Sequence, residues 1–281
     1  MHIRRNVEAI ERVQQAQLVG QSLAELKPLY LEQNTFDIGL DDPIYRIFQL
    51  EYLEADISGK ILTQVRAHPD SWGDDYENPL LQATYTDPVT GGAFTLKEIV
   101  GDFYALSWTK SANERADDWT KFSHGRPAIR VETTPRLLLD RLMHVEDEWF
   151  MLRHFVGLIR YEDNAAIDAW ISDPDYSVHL DSLGQNLAQS LMLLDSNLKS
   201  EAEVRLLFTL IRNSPTKWLT ENVNWSDKIC KIPFEWCGAI RSVLFGPNMT
   251  DSLERSFNSL LAQKGIQCTA LRGSLQPRFC K

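Results

Sequence analysis

The stretch Glu201-Ala202-Glu203-Val204-Arg205-Leu206-Leu207-Phe208 sets two carboxylates, one residue apart, at the mouth of an apolar run. In a β-strand residues i and i+2 face the same side, so a strand that starts with the apolar run aims Glu201 and Glu203 together into one cleft. Like charges that close repel unless a cation or a substrate lies between them, which makes the pair a candidate acid site. Read as the last turns of an amphipathic helix over residues 195–205, the same stretch is a solvated surface instead.

Around it lies a chain of 281 residues, long enough to bury a substantial core in one domain with elaborations or in two small ones. A hydrophobic content of 43% and eight Trp exclude a disordered protein. The net charge of −10 opposes phosphate backbones and anionic membrane surfaces, so protein or small-molecule partners are favoured over nucleic acid, and no membrane partner is expected. Cys230, Cys237, Cys268 and Cys280 form no C-x-x-C pair and have no His at ligand spacing, which points to free thiols and no zinc. His144, Glu146, Glu148 and His154 match no metal motif. Ser123 and His124, near Asp117 and Asp118, are adjacent on one element and cannot face one another, and no nucleophile elbow is present. No metal is expected. With no apolar segment after the basic start and no apolar run near eighteen residues, the chain reads as cytoplasmic, or as an effector delivered by a dedicated secretion machine.

Residues 7–32 carry helical spacing with a break expected at Pro28. They suggest a division into an N-terminal helical extension, residues 1–40, carrying a partner or dimer contact, and a single α+β domain, residues 41–281. Strands are expected at 44–48, 61–65, 103–109, 128–132, 155–161, 206–211, 239–245 and 265–271. Helices are expected at 50–60, 113–122, 135–142, 181–198 and 251–264. Residues 68–92 hold four Pro- or Gly-rich turns, a loop long enough to be functional or a lid. Strands and helices interleave without a βαβ rhythm, which indicates a mixed α+β fold.

Two further motifs carry chemistry. Arg46 stands between Tyr45 and Ile47 in the first main strand, where a buried guanidinium needs an anion. That anion is a core carboxylate, with Asp74-Asp75-Tyr76-Glu77 as the candidate source, or a ligand phosphate. Ser107-Trp108-Thr109 ends a strand with both hydroxyls on one side and Trp108 on the other. Such hydroxyls cap the next turn, or hold a ribose and orient a carboxylate.

The order Tyr45-Arg46, Trp72 through Asn78-Pro79, Leu106-Ser107, Trp119-x-x-Phe122, Gly125, Glu201-x-Glu203-x-Arg205 and Gly246-Pro247 resembles the bacterial family termed domain of unknown function 2971, over residues 43–272. More distantly, Arg on a first strand, Ser-x-Thr on a second and Glu-x-Glu on a later one are similar to the Arg-Ser-Glu signature of mono-ADP-ribosyltransferases. Ser-Trp-Thr departs from that signature's Ser-Thr-Ser, and a long gap separates Ser107 from Glu201. This second resemblance implies a central split sheet of mostly antiparallel strands flanked by helices. It also implies a glycosyltransferase that takes NAD as substrate and passes ADP-ribose to an acceptor. On it, Arg46 binds an NAD phosphate beside Tyr45, while Ser107 and Thr109 hold the nicotinamide ribose. Glu203 steadies the oxocarbenium-like cation, Glu201 positions or deprotonates the acceptor, and Trp108, Tyr104 or Trp119 walls the nicotinamide. A bacterial toxin or defence effector is the role implied. The alternative is a non-catalytic module that senses a nucleotide or a protein.

Overall fold

The computed structural model describes residues 6–73, 76–212 and 215–274. Asp74, Asp75 and Cys280 lie outside them. The chain opens with α1 (Val7–Leu18) and α2 (Leu23–Gln33). Ser22 and Glu25 start α2 as a reciprocal capping box. Pro28 lies inside α2 and does not end it. The helix forgoes one hydrogen bond there, and burial of Leu26, Tyr30 and Leu31 holds it together.

Strands β1 (Thr35–Phe36) and β2 (Ile44–Gln49) precede α3 (Leu50–Gly59) and β3 (Ile61–Arg66). The 68–92 stretch holds α4 (Pro69–Trp72) and β4 (Thr84–Thr86), which forms a hairpin with β5 (Ala93–Thr95). Then come α5 (Lys97–Val100), β6 (Phe103–Thr109), α6 (Ala116–Ser123), β7 (Ala128–Thr133) and α7 (Pro135–Leu142), the last capped by Thr134 with Pro at its first turn. Strands β8 (His154–Leu158) and β9 (Arg160–Glu162) lead to α8 (Asn164–Ile171).

One helix expected over 181–198 is instead α9 (Gln185–Ser190), β10 (Leu193–Asp195) and a 3-10 turn, Ser196–Glu201. Two polar side chains cut it. Asp181 accepts from the backbone N–H groups of Leu183, Gln185 and Asn186, and Asp195 accepts from Asn197. Leu193–Asp195 then pairs in parallel with β9. The remaining elements are β11 (Glu203–Thr209), α10 (Lys217–Asn222), β12 (Asn224–Trp225), β13 (Ile229–Pro233), β14 (Ser242–Phe245), α11 (Asp251–Gln263) and β15 (Thr269–Arg272).

Among the described residues eleven strands form one mostly antiparallel sheet in the order β1-β8-β11-β6-β2-β7-β14-β15, from which β3, β13 and β12 branch. The branch point is β6. Its first half pairs with β3 through Ala105 and Tyr104, whereas its end meets β2 only at Thr109, opposite Tyr45. The sheet is therefore split, with a gap between β2 and β6. The described residues form a mixed α+β fold with helices flanking this sheet.

Alternation assigns the two faces of β6. Tyr104, Leu106 and Trp108 point into the main core, with Phe48, Val204, Leu206 and Phe208. Phe103 and Ala105 point the other way, into a smaller core with Leu207 and Phe155. On this second face apolar residues give way along the strands to Ser107 and Thr109 on β6 and to Arg205 and Glu203 on β11, so the smaller core opens into a polar hollow.

Val13, Ala16, Leu26, Tyr30 and Leu31 of the first two helices are buried in the main core. Burying each such side chain contributes about 1.5–3 kcal/mol for the larger apolar types. Deleting residues 1–38 is therefore expected to lower the thermal midpoint sharply in a calorimetric melt. A truncated chain that melts like the intact one and only loses self-association would overturn this.

Candidate active site

The split sheet, α6 and the 3-10 turn enclose a cavity of about 920 Å³. Tyr45, Arg46, Ser107, Trp108, Thr109, Trp119, Glu201 and Glu203, distant in sequence, all line it. Their placements differ in kind.

Glu203 opens β11 and is 5% exposed. Its Oε1 accepts from Ser107 Oγ at 2.6 Å and from Arg205 Nε at 2.9 Å. Among the described residues its Oε2 receives no hydrogen bond, and it is not a sealed atom, so this oxygen is left to the cavity. The Glu203 N–H donates to the Tyr161 hydroxyl at 2.9 Å, and burial pushes that phenol up to about 12.

Glu201 is not the strand partner that the spacing suggested. The strand begins two residues later, because Ala202 takes a left-handed conformation (φ 45) at the end of the 3-10 turn. Glu201 reaches the cavity from the rim, where it is ion-paired with Lys121 of α6. Thr109 Oγ1 donates to the Glu201 carbonyl at 2.7 Å and accepts from Ser111 N–H at 3.1 Å, so this hydroxyl caps the turn between β6 and α6.

Arg46 makes no ion pair among the described residues. Glu77, the described carboxylate of the loop expected to supply one, pairs instead with Arg205 at 2.8 Å. The Arg46 guanidinium lies over the Phe48 ring at 5.1 Å and spans the split to donate from Nη1 to the Ser107 carbonyl, a group that β2 no longer pairs. Its Nε is sealed without an acceptor. Burial lowers its pKa to about 10 against the opposing pull of Glu203 and Asp56.

The aromatic positions separate as well. The Trp108 ring packs edge-on to Phe48 at 5.8 Å in the main core. Tyr104 is absent from the lining, and its hydroxyl donates to the Ser226 carbonyl at 2.6 Å. Trp119 donates to Glu114 Oε1 at 3.2 Å and rests on Gly246, where a Cβ would fall 2.6 Å from the ring. Gly246→Ala is expected to push Trp119 toward the cavity, read as a shift in tryptophan emission against wild type. Unchanged emission would mean that the backbone absorbs the methyl group.

Several lining residues escaped the sequence reading. Arg205 is fully buried, donates from Nη1 to the Leu191 carbonyl at 2.7 Å, and lies 5.7 Å from the Trp72 ring centre. Burial alone would lower its pKa, but the carboxylates of Glu203 and Glu77 outweigh that and raise it. Its signal was a charge inside an apolar run, in phase with Glu203. Glu77 was expected as a partner for Arg46 and not for Arg205, and Trp72 was read only in the order of motifs, since their places follow from distant contacts. Asn78 anchors this loop by donating to the carbonyls of Ala67 at 3.0 Å and Val100 at 2.9 Å, and Trp72 donates to that of Arg66 at 2.8 Å. The loop expected as functional or a lid is thus tied to the end of β3 and to α5 at these points.

Among the described residues no cluster of His, Cys, Asp or Glu is placed to hold a metal ion, and no helix is long and apolar enough to cross a membrane. Cys230, Cys237 and Cys268 are free.

No family model matches the chain, the domain of unknown function 2971 included, and no curated protein matches it. Among solved structures it is similar to Thermus sp. 2.9 DarT in complex with ADP-ribosylated ssDNA, at 10% identity and TM-score 0.36, over 86% of this chain and 97% of that one. The same protein in complex with carba-NAD+ aligns at 10% identity and TM-score 0.33, over 85% and 98%. In complex with NAD+ it aligns at 12% identity and TM-score 0.31, over 84% and 96%.

Proposed function

We propose that the chain is an NAD-consuming mono-ADP-ribosyltransferase and that the cavity at the split of the sheet is its active site. One observation carries the reading. Glu203 is fixed through one oxygen by Ser107 and Arg205 and turns the other to a cavity that also holds Arg46, a guanidinium without an ion-pair partner among the described residues. A fixed anion beside a cation that forms only during reaction lowers the barrier without rearrangement of solvent. The volume of about 920 Å³ suits a dinucleotide.

In this reading Arg46 takes an NAD phosphate through its open Nη2. The bond between the ribose C1′ and the nicotinamide nitrogen breaks, and its electron pair leaves with neutral nicotinamide. Glu203 Oε2 faces the cation left at C1′. A lone pair of the acceptor then forms the new bond to C1′, and Glu201, released from Lys121, receives the acceptor's proton. The net charge of −10 favours a protein or small-molecule acceptor over nucleic acid. A role as toxin or defence effector accords with such chemistry.

Nicotinamide release is the test, measured with a protein lysate, small guanidines and a single-stranded oligonucleotide offered as separate acceptors. Turnover on the oligonucleotide alone would overturn the acceptor preference. Arg46→Ala is expected to weaken NAD binding about tenfold or more by calorimetry, since its partner is a ground-state phosphate. Both carboxylates are already matched by cations, Glu203 by Arg205 and Glu201 by Lys121, and this favours a second reading, a nucleotide-sensing module. NAD binding without nicotinamide release under any acceptor would select it.

A further inference from the structure

Nine large apolar side chains are exposed among the described residues, and three of them meet at one place, the turn from α1 to α2. Leu18 is 86% exposed, Val19 77% and Leu23 40%. The buried stripe of α1 is Ala9, Val13 and Ala16, so the helix packs without Leu18. The turn itself is fixed. Gly20, at a φ of 78, donates its N–H to the Gln17 carbonyl at 3.0 Å, and the Gln21 N–H donates to that of Ala16 at 3.1 Å, which closes α1 in a Schellman motif. The capping box of Ser22 and Glu25 opens α2 directly after it. An apolar tip held this firmly loses little freedom when it is covered.

From Val13 to Ala24 no residue is charged. The charges that bound this run are matched on their own chain, Arg12 by Glu32 at 2.5 Å and Glu25 by the hydroxyl and the backbone N–H of Ser22. The whole chain carries −10, so most ways of bringing two copies together set like charges against each other. A basic partner would be drawn to the acidic surface rather than to an uncharged tip, whereas a second copy of this chain meets least repulsion there. Self-pairing also covers the same apolar patch on both partners in one contact. We infer that the tip is a homodimer contact, in which Leu18, Val19 and Leu23 of two copies pack against one another about a two-fold axis. Three side chains from each copy are far fewer than the roughly 20–30 residues that each partner gives to a standard stable interface, so the dimer is a weak one that dissociates on dilution. Association through the tip is independent of what the cavity binds.

The test is sedimentation velocity of the full chain over a concentration series. Wild type should pass from monomer to dimer as concentration rises, and more readily at high salt, since salt screens the repulsion between two acidic copies. Leu18→Glu and Leu18→Lys should each lower the association constant by about tenfold or more, because each sets its new charge against the same charge across the axis. Mixing the two variants should restore the dimer, which a contact between the tip and any other part of a second copy would not do. Leu18 is exposed, so both variants should keep the wild-type melting midpoint. Val89→Glu, in the exposed turn of the β4–β5 hairpin, should leave the dimer intact. A chain that stays monomeric at every concentration would overturn the inference, and binding of that monomer to neutral phosphatidylcholine vesicles would assign the tip to a lipid surface instead. A dimer that survives Leu18→Glu, that Val89→Glu weakens equally, that high salt dissociates or that the mixture fails to restore would overturn it as well.

Discussion

Glu203→Gln is expected to lower nicotinamide release by roughly 10²-fold or more while leaving NAD affinity nearly unchanged. The substitution keeps the shape of the side chain and one acceptor oxygen, so Ser107 Oγ and Arg205 Nε retain their partner. What it removes is the charge on the oxygen that faces the cavity. A ground-state nicotinamide ribose has little need of that charge, and the cation formed at C1′ depends on it. The loss therefore falls on kcat with KM little moved, the pattern of an interaction made only in the transition state. Progress curves of nicotinamide release on wild type and variant, with calorimetric NAD titrations on both, separate the two terms. A variant that turns over at the wild-type rate would remove Glu203 from the chemistry.

How much of this site was legible in sequence depended on the range of the contact that placed each residue. Ser107 and Thr109 were readable because strand alternation alone puts both on one face, and β6 carries them there. Helix α7 was readable from Thr134 and Pro135, since a cap and a first-turn proline act within one turn. Glu201 was misplaced because the same alternation was extended two residues too far. A left-handed Ala202 has no sequence signal, as alanine rarely adopts that conformation. Residues 181–198 kept a helical apolar pattern, yet Asp181 and Asp195 offered the backbone other partners and β9 offered a strand. Arg46 was legible as a charge in want of an anion. Its role in bridging the split follows from which strands part, a property of the whole sheet.

Arg205→Met is expected to destabilise the fold by about 3–5 kcal/mol, because it leaves two carboxylates facing each other with no cation between them. Arg205 is fully buried, and its partners Glu203 and Glu77 are 5% and 3% exposed, so water does not take over the lost contacts. The guanidinium meets Glu203 at 2.9 Å and Glu77 at 2.8 Å. It thereby joins the carboxylate proposed for catalysis to the loop that lines the cavity through Trp72 and Glu77. Repulsion without Arg205 acts on that loop first, since β11 is hydrogen-bonded on both sides by β6 and β8. Urea titration followed by tryptophan fluorescence reads the global loss. Hydrogen exchange at the amides of residues 76–81 reads the local one, and these should exchange faster than those of β11. Adding Glu77→Gln to Arg205→Met removes one of the two facing charges and should recover part of the stability without recovering turnover, because Glu203 would keep Ser107 on its Oε1 but still lack the guanidinium that fixes it beside the cavity. A single Arg205→Met variant as stable as wild type would mean that the two carboxylates take up protons without cost, and that the guanidinium is not what joins the loop to the site.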